Sequence, residues 1–241
     1  SSNTVINADN YSYIGLVNCN DIYTNISGSS SSLHQVILAN TNYVIISGVN
    51  ISSLSEALFL FSSSYNTFSN NTITADSSGV SLFLSYYNTF SNNNITSTGS
   101  LGAYLYSSSD NTFSNNIIKS INSYSLYLEH SSSNLIYNNL LNGSTEPVYI
   151  ESGSNFWNTT LTSGPNIVGG PYIGGNFYAT PDGDGFSETC TDSNNDGICD
   201  SFYDILGDGS NIDYLPLAVP TLLSDSTPPS IQILSPSSGL W

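Results

Sequence analysis

The chain has 241 residues, 39% of them hydrophobic, so it is long enough to bury a core and is not disordered. Its 18 acidic residues are set against one basic residue, Lys119, which gives a formal net charge of −17. Nucleic acid is excluded as a partner because phosphate binding needs clustered basic side chains. No apolar run approaches the roughly 18 residues of a membrane span. The chain has neither a starting Met nor a signal peptide, so we expect a piece of a processed protein.

A block of eight residues recurs through the first two thirds of the chain. Clear copies, spaced 22, 23 and 23 residues apart, begin at Asn66, Asn88, Asn111 and Asn134. Fainter copies begin at Asn20, Asn42 and Asn155. Each unit holds two short alternating apolar runs separated by Ser, Asn and Gly, which indicates strands in a solenoid. The pattern predicts an all-β fold, a right-handed parallel β-helix of about seven coils of 22–23 residues, over residues 1–164.

Equivalent residues of successive coils should lie over one another and form ladders, with three apolar columns inside. The first predicted column is Val36, Leu60, Leu82, Leu105 and Leu128, joined by Ile150 if one loop is a residue shorter. The second is Ile22, Val44, Phe68, Phe90, Phe113, Ile136 and Trp157, and the third is Ile73, Ile95, Ile118 and Leu141. Paired Asn residues at 70/71, 92/93, 115/116 and 138/139 are predicted to fill turns and to bond the amide above.

The repeated block resembles the NosD-like family of β-helix repeats, whose coils carry Asn-Thr/Asn-Ile-x-x-Asn-Asn-x-Ile signatures. The resemblance extends to about residue 218, where Gly175-Asn-Phe-Tyr178 and Asp213-Tyr-Leu-Pro-Leu217 are similar to the family's closing motifs. It implies the fold, whereas the family's functions range over copper-enzyme maturation, sugar hydrolysis and large surface proteins. A copper role is not expected to carry over, because His34 and His130 are far apart and Met is absent.

Residues 165–218 form a Gly-rich and then acidic closing segment. Alternate acidic and amide residues followed by Gly197 are typical of calcium loops, although Tyr203 replaces the final Glu of an EF-hand. The predicted calcium ligands are Asp192, Asn194, Asp196, Asp200 and Asp204, with Asp182 and Asp184 in a second, weaker site. The alternative is that these residues make solvated turns.

The cysteines and sequons point to an oxidising, extracellular location. Cys190 and Cys199 are predicted to form a disulfide across the acidic loop, the alternative being two incidental thiols, and Cys19 is expected to be a buried thiol. Candidate N-glycosylation sites are Asn10, Asn25, Asn50, Asn70, Asn94, Asn142 and Asn158.

Residues 219–241 read as a linker and an isolated strand. The segment resembles the first strand of an immunoglobulin-like module, and it either belongs to a truncated module or adds to the sheet of another subunit.

Two candidate features bear on catalysis and sugar binding. Glu129 and Glu151 are predicted to lie on adjacent coils roughly 5 Å apart, a spacing that suits a retaining glycoside hydrolase. With only His130 beside them, an incidental exposed pair is favoured, and Lys119 is expected in a turn, solvated. The tyrosines that could stack on sugar rings are Tyr104, Tyr106, Tyr124, Tyr127 and Tyr149.

Repetition without a catalytic set favours a non-enzymatic, extracellular or cell-surface structural protein. Such a chain would be a subunit of a surface layer or filament, assembled with copies of itself, stabilised by calcium and glycosylated. The alternative is a carbohydrate-binding module or a polysaccharide hydrolase.

Overall fold

The computed structural model describes residues 3–20, 23–28, 33–144 and 146–220. In chain order the strands are β1 (Asn3–Asn7), β2 (Tyr13–Val17), β3 (Tyr23–Ser27), β4 (Gln35–Ala39), β5 (Val44–Ser47), β6 (Asn50–Ser53), β7 (Leu58–Phe61), β8 (Thr67–Ser69), β9 (Thr72–Ala75), β10 (Val80–Phe83), β11 (Thr89–Ser91), β12 (Asn94–Ser97), β13 (Ala103–Tyr106), β14 (Thr112–Ser114), β15 (Ile117–Ser120), β16 (Leu126–Glu129), β17 (Leu135–Tyr137), β18 (Leu140–Asn142), β19 (Val148–Ile150), β20 (Thr162–Ser163), β21 (Tyr172–Ile173), β22 (Phe177–Ala179), β23 (Tyr203–Asp204) and β24 (Ile212–Asp213). The helical turns are a 3-10 turn at Ala8–Asn10 and the short helix α1 (Phe186–Thr189).

Three parallel sheets form the walls of a right-handed β-helix, which confirms the predicted fold. The first sheet runs β1-β3-β5-β8-β11-β14-β17, the second β2-β4-β7-β10-β13-β16-β19, and the third β6-β9-β12-β15-β18-β22. The third sheet has six strands where the others have seven, so the solenoid has about six turns, slightly fewer than predicted.

The apolar columns are confirmed from the third coil onward. Leu60, Leu82, Leu105, Leu128 and Ile150 pair in sequence along the second sheet. The column of Phe68, Phe90, Phe113 and Ile136 and the column of Ile73, Ile95, Ile118 and Leu141 pair in the same way. Trp157 is also buried, next to the bridge between Leu135 and Phe156.

Two column members were predicted wrongly in an early coil. Leu38, not Val36, pairs with Leu60, and Ile46, not Val44, pairs with Phe68. The faint block at Asn42 misleads, because Val44 occupies the position that Asn66 occupies one coil later: its amide donates to the Asn66 side chain. A shift of two residues keeps the same face of a strand inward, so both valines are buried all the same. Ile22 lies outside the described residues.

The predicted Asn turns are present, and each pair has two different roles. The first member adopts a left-handed backbone, with φ of 56°, 55°, 57° and 52° at Asn70, Asn92, Asn115 and Asn138. The second member points inward and bonds its equivalent in the next coil, in a ladder of Asn71, Asn93, Asn116 and Asn139. A parallel ladder, not foreseen as such, consists of Asn66, Asn88, Asn111, Asn134 and Asn155. Buried turn amides are thereby satisfied from the coil of Asn66 and Asn71 onward.

The closing segment supplies the last rungs of both ladders. Strand β22 joins the third sheet beside β18, and the Asn139 side chain donates to Asn176 just before that strand. The backbone amide of Asn155 donates to the side chain of Asn211, as does the indole N–H of Trp157. Residues outside the repeat therefore cap the solenoid with the same chemistry that the repeat uses.

A buried carboxylate, Asp213, anchors this cap. It is 0% exposed and accepts hydrogen bonds from the amides of Asn176 (2.8 Å) and Leu215 (3.0 Å) and from the Tyr178 hydroxyl (3.0 Å). A Cβ at residue 175 would lie 1.9 Å from an Asp213 oxygen, so only glycine fits at Gly175. Residues that lie 35 and 37 positions apart in the sequence are thus joined in one buried polar cluster.

Candidate functional site

The outer face of the second sheet carries a continuous aromatic surface. Alternate residues of a strand point to opposite faces, and from β7 to β19 the outward positions are mostly aromatic. We call this surface the aromatic face; it consists of Phe59, Phe61, Phe83, Tyr104, Tyr106, Tyr124, Tyr127 and Tyr149. It crosses five coils, roughly 19 Å along the solenoid axis.

Seven rings of the aromatic face, all but Phe61, contact one another. Ring centroids lie 5.4 Å apart for Phe83 and Tyr104, 5.1 Å for Tyr104 and Tyr127, and 5.0 Å for Tyr127 and Tyr149. Edge-to-face and tilted contacts of this kind add about 0.5–1.5 kcal/mol per pair beyond burial. Most of the rings are half-buried, so the surface is preformed and still reachable from solvent.

Glu129, His130 and Glu151 lie together at one end of the aromatic face. Leu128 pairs with Ile150, which places Glu151 over Glu129 as predicted. One ligand atom from each of the three side chains lies within 4.8 Å of the others. Among the described residues, no other set of three His, Cys, Asp or Glu side chains is this compact. We call the three residues the acidic cluster.

Two neighbours hold the acidic cluster in place. The Tyr104 hydroxyl donates to Glu129, and the Ser152 hydroxyl lies 2.8 Å from Nδ1 of His130. Burial, followed by the hydrogen bond to Glu129 and the charge of Glu129, raises the pKa of Tyr104 well above its usual value. Tyr104 therefore stays protonated and remains a donor to Glu129 at neutral pH.

Lys119, the one basic side chain of the sequence, lies away from these carboxylates. It is exposed on strand β15 of the third sheet, and not in a turn as predicted. Strands β15 and β16 belong to different walls of the solenoid, so Lys119 and the aromatic face lie on different walls.

The predicted calcium ligands fall into three separate turns. In the main loop, Asp192 accepts from the amides of Asp196 (3.1 Å) and Gly197 (2.8 Å), and Asp200 accepts from Ser193. Asn194 and Asp196 likewise bond amides of the same loop. Asp204 instead closes the turn between β23 and β24, and Asp184 bonds Thr180 in the turn that includes Asp182. Calcium binding at these residues stays a prediction.

The predicted disulfide is present. Cys190 and Cys199 are bonded, with their Cα atoms 5.7 Å apart, and the Cys199 amide donates to Pro216. The disulfide closes the acidic loop, and the hydrogen bond to Pro216 ties that loop to the end of the closing segment. Cys19 is half-buried, and not buried as expected, because it lies in a surface turn where its amide donates to the Thr41 hydroxyl.

All seven sequon asparagines lie at the surface. Four are exposed, namely Asn10, Asn50, Asn70 and Asn94, and three are half-buried, namely Asn25, Asn142 and Asn158. A glycosylating enzyme can therefore reach each side chain in principle, and their modification stays a prediction. The described residues end at 220, so the strand predicted within residues 219–241 lies outside them.

Sequence reasoning missed two parts of the site. It found five tyrosines of the aromatic face but not the three phenylalanines, although Phe61 and Phe83 share the register of Tyr106. It treated Glu129 and Glu151 as a pair and His130 as incidental, because no Cys or Asp follows either histidine at a metal-binding spacing. Glu151 comes from the next coil, and the strand register places it beside both Glu129 and His130.

Comparison with known proteins identifies the family. Within the described part of the chain, neither helical turn has the length and apolar character to cross a membrane. No curated protein and no solved structure matches the chain significantly. The family model described as periplasmic copper-binding protein (NosD) matches residues 1–183, and the chain therefore belongs to the NosD family.

Proposed function

We propose that this chain is an exported β-helix module that binds carbohydrate along its aromatic face. The observation that carries the proposal is the run of eight aromatic rings, seven of them in ring–ring contact, beside two carboxylates on one wall of the solenoid. The description of the family as periplasmic and the disulfide support export from the cytoplasm.

The chemistry of the aromatic face suits sugar rings. Pyranose rings present apolar C–H faces that pack on aromatic rings, and Tyr hydroxyls and carboxylates bond the sugar hydroxyls. A net charge of −17 repels polyuronates, so we expect neutral polysaccharides to bind in preference to acidic ones. A rigid, preformed surface also loses little side-chain entropy on binding.

Binding without cleavage fits the acidic cluster better than hydrolysis. A retaining pair needs one carboxyl group kept protonated by a buried, apolar pocket. Here Glu151 is exposed and Glu129 is half-buried, already accepting the Tyr104 hydroxyl. Glycoside hydrolysis by Glu129 and Glu151 is thus the lesser proposal.

Affinity electrophoresis through gels that contain neutral polysaccharides tests the proposed binding. We expect the native chain to be retarded by at least one of mannan, xyloglucan and mixed-linkage β-glucan. Replacing Tyr127 with alanine removes a central ring, and we expect the dissociation constant to rise about tenfold, the equivalent of 1.4 kcal/mol.

The matched control is Tyr23→Ala, which removes an exposed ring that makes a tilted contact with Tyr43 at the first sheet. Its migration should match that of the native chain. Equal retardation of both variants, or no retardation of the native chain in any gel, would overturn the proposal.

The second candidate function is a structural subunit of a surface layer or filament. It is favoured by the polar ladders, which run without interruption from coil to coil and are tied off by the capped end. Such a module is stiff and resists local unfolding, as a surface protein under mechanical force must. Regular fibres or sheets of the native material in negative-stain electron microscopy would support it, and monodisperse particles would count against it.

Calcium stabilisation belongs to this second candidate and has its own test. If the acidic loop binds calcium with the millimolar to submillimolar affinity of extracellular sites, about 5 mM calcium adds about 1–2 kcal/mol to the free energy of unfolding. Asp192→Asn should abolish that gain, whereas Asp110→Asn, an exposed turn residue with φ of 59°, should retain it. Identical denaturation curves with calcium and with chelator would show that calcium does not stabilise the fold.

A further inference from the structure

We propose that the acidic cluster of Glu129, His130 and Glu151 is a binding site for a divalent first-row transition-metal ion, with Cu(II) held most tightly. Metal binding here does not require carbohydrate to be bound, since it needs only these three side chains and water. One donor atom from each of the three side chains lies within 4.8 Å of the others.

The backbone fixes the spacing of the three ligands. Glu129 ends strand β16, and Glu151 directly follows β19, the strand that pairs with it in register through Leu128 and Ile150. The amide of His130 donates to the Ser152 hydroxyl, so the turns after both strands are joined. Ligands on adjacent, hydrogen-bonded strands lose little conformational freedom when a metal binds.

Neighbouring hydroxyl groups orient two of the ligands. Tyr104 donates to Glu129, and Ser152 contacts Nδ1 of His130 at 2.8 Å. Outer contacts of this kind hold metal-binding carboxylates and imidazoles in position. The left-handed turn at His130 recurs at Ser107 one coil earlier, so the imidazole, and not the turn itself, distinguishes this coil.

The donor set selects the type of ion. Calcium and magnesium prefer an all-oxygen shell, whereas an imidazole with carboxylates suits Cu(II) and Zn(II). Cu(II) binds most tightly of the divalent first-row ions at such sites. The two carboxylates also repel each other unless a cation lies between them, and the lone lysine lies on another wall.

Copper, which the family description names, fits this cluster in its oxidised form only. Cu(I) prefers thiolate and thioether donors, but the sequence has no Met, and two of its three cysteines are joined in a disulfide. The other histidine, His34, lies 2.9 Å from the Ser52 carbonyl in an early coil, and among the described residues it belongs to no cluster of three such ligands. The residues that would hold copper here are therefore Glu129, His130 and Glu151.

A titration with a Cu(II) salt tests the site, with the disulfide intact and the chain first washed with chelator. Calorimetry and electron paramagnetic resonance monitor the binding. We expect one bound ion per chain, with hyperfine coupling to a single imidazole nitrogen, and weaker binding of Zn(II). His130→Ala should lose that nitrogen coupling and at least about tenfold in affinity, because it removes the only nitrogen ligand. Glu151→Gln should weaken binding with the nitrogen coupling retained.

His34→Ala is the matched control, since it removes the other imidazole and should leave both readouts unchanged. Thermal unfolding of each variant without metal establishes that it is folded. The proposal is overturned if His130→Ala binds Cu(II) as the native chain does, or if His34→Ala loses the nitrogen coupling. All titrations are done without polysaccharide, so their failure would leave the proposed carbohydrate binding untouched, and the reverse also holds.

Discussion

Replacing Asn93 with leucine is expected to lower the free energy of unfolding by at least about 3 kcal/mol, because three buried polar groups lose a partner at about 1–3 kcal/mol each. The Asn93 side chain accepts from the amide (3.0 Å) and the side chain (2.9 Å) of Asn71, and donates to the Phe68 carbonyl (2.9 Å). It is 2% exposed, so water cannot replace these bonds. Leucine has a similar volume, which separates the loss of hydrogen bonds from the opening of a cavity.

Chemical denaturation followed by circular dichroism measures this loss, with Asn92→Gly as the matched control. Asn92 precedes Asn93 but is exposed, and its φ of 55° suits glycine. The control should lie within about 1 kcal/mol of the native chain. Similar losses in both variants would show that the turn, and not the buried ladder, carries the stability.

The second large effect is a gain in stability on acidification that depends on Asp213. Burial raises the pKa of this carboxyl from 3.8 to about 7, against the opposing effect of hydrogen bonds from the Asn176 and Leu215 amides. The folded state therefore holds the proton more tightly than the unfolded state does. The resulting stabilisation is complete below about pH 4 and is lost as the pH rises towards 7, by up to about 4 kcal/mol in total.

Comparison with Asp213→Asn isolates this contribution, because both chains share every other titrating group. We expect the difference in unfolding free energy, native minus variant, to decrease as the pH is raised from about 4 to about 8, because the native chain then buries a charged carboxylate. Parallel stability curves for the two chains would contradict it and would mean that Asp213 stays ionised throughout. Tyr178, whose pKa burial raises well above its usual value, does not titrate in this range.

Local pattern was sufficient to predict the repeating part of the fold. Each clear coil repeats Asn, an apolar residue and an Asn pair at one spacing. Because each of these residues occupies one fixed position in the coil, the pattern also gave the correct strand register for Leu60, Phe68 and Ile73. Where the block fades, at Asn42, the register slipped by two residues because Val44 stands in the Asn position. The inward and outward faces were still predicted correctly, since side chains alternate between the faces of a strand with a period of two residues.

The cap and the acidic cluster depend on contacts that no single repeat contains. Asn176, Asn211 and Asp213 carry no repeat signal, yet they close the ladders at separations of 37 and 56 residues. Glu129 and Glu151 were placed together from the register, but the value of His130 as a third ligand was not apparent from spacing along the chain. Such features depend on which residues of different coils come into contact, and a short-range sequence pattern does not encode those contacts.

The central claim is that the aromatic face is where this β-helix meets its ligand. A crystal structure of the native chain with the neutral oligosaccharide that binds best in the gels tests it most directly. We expect sugar rings packed on Tyr104, Tyr127 and Tyr149, with hydroxyl groups bonded near Glu129 and Glu151. An oligosaccharide seated on the first or third sheet, or on the capping segment, would contradict the claim.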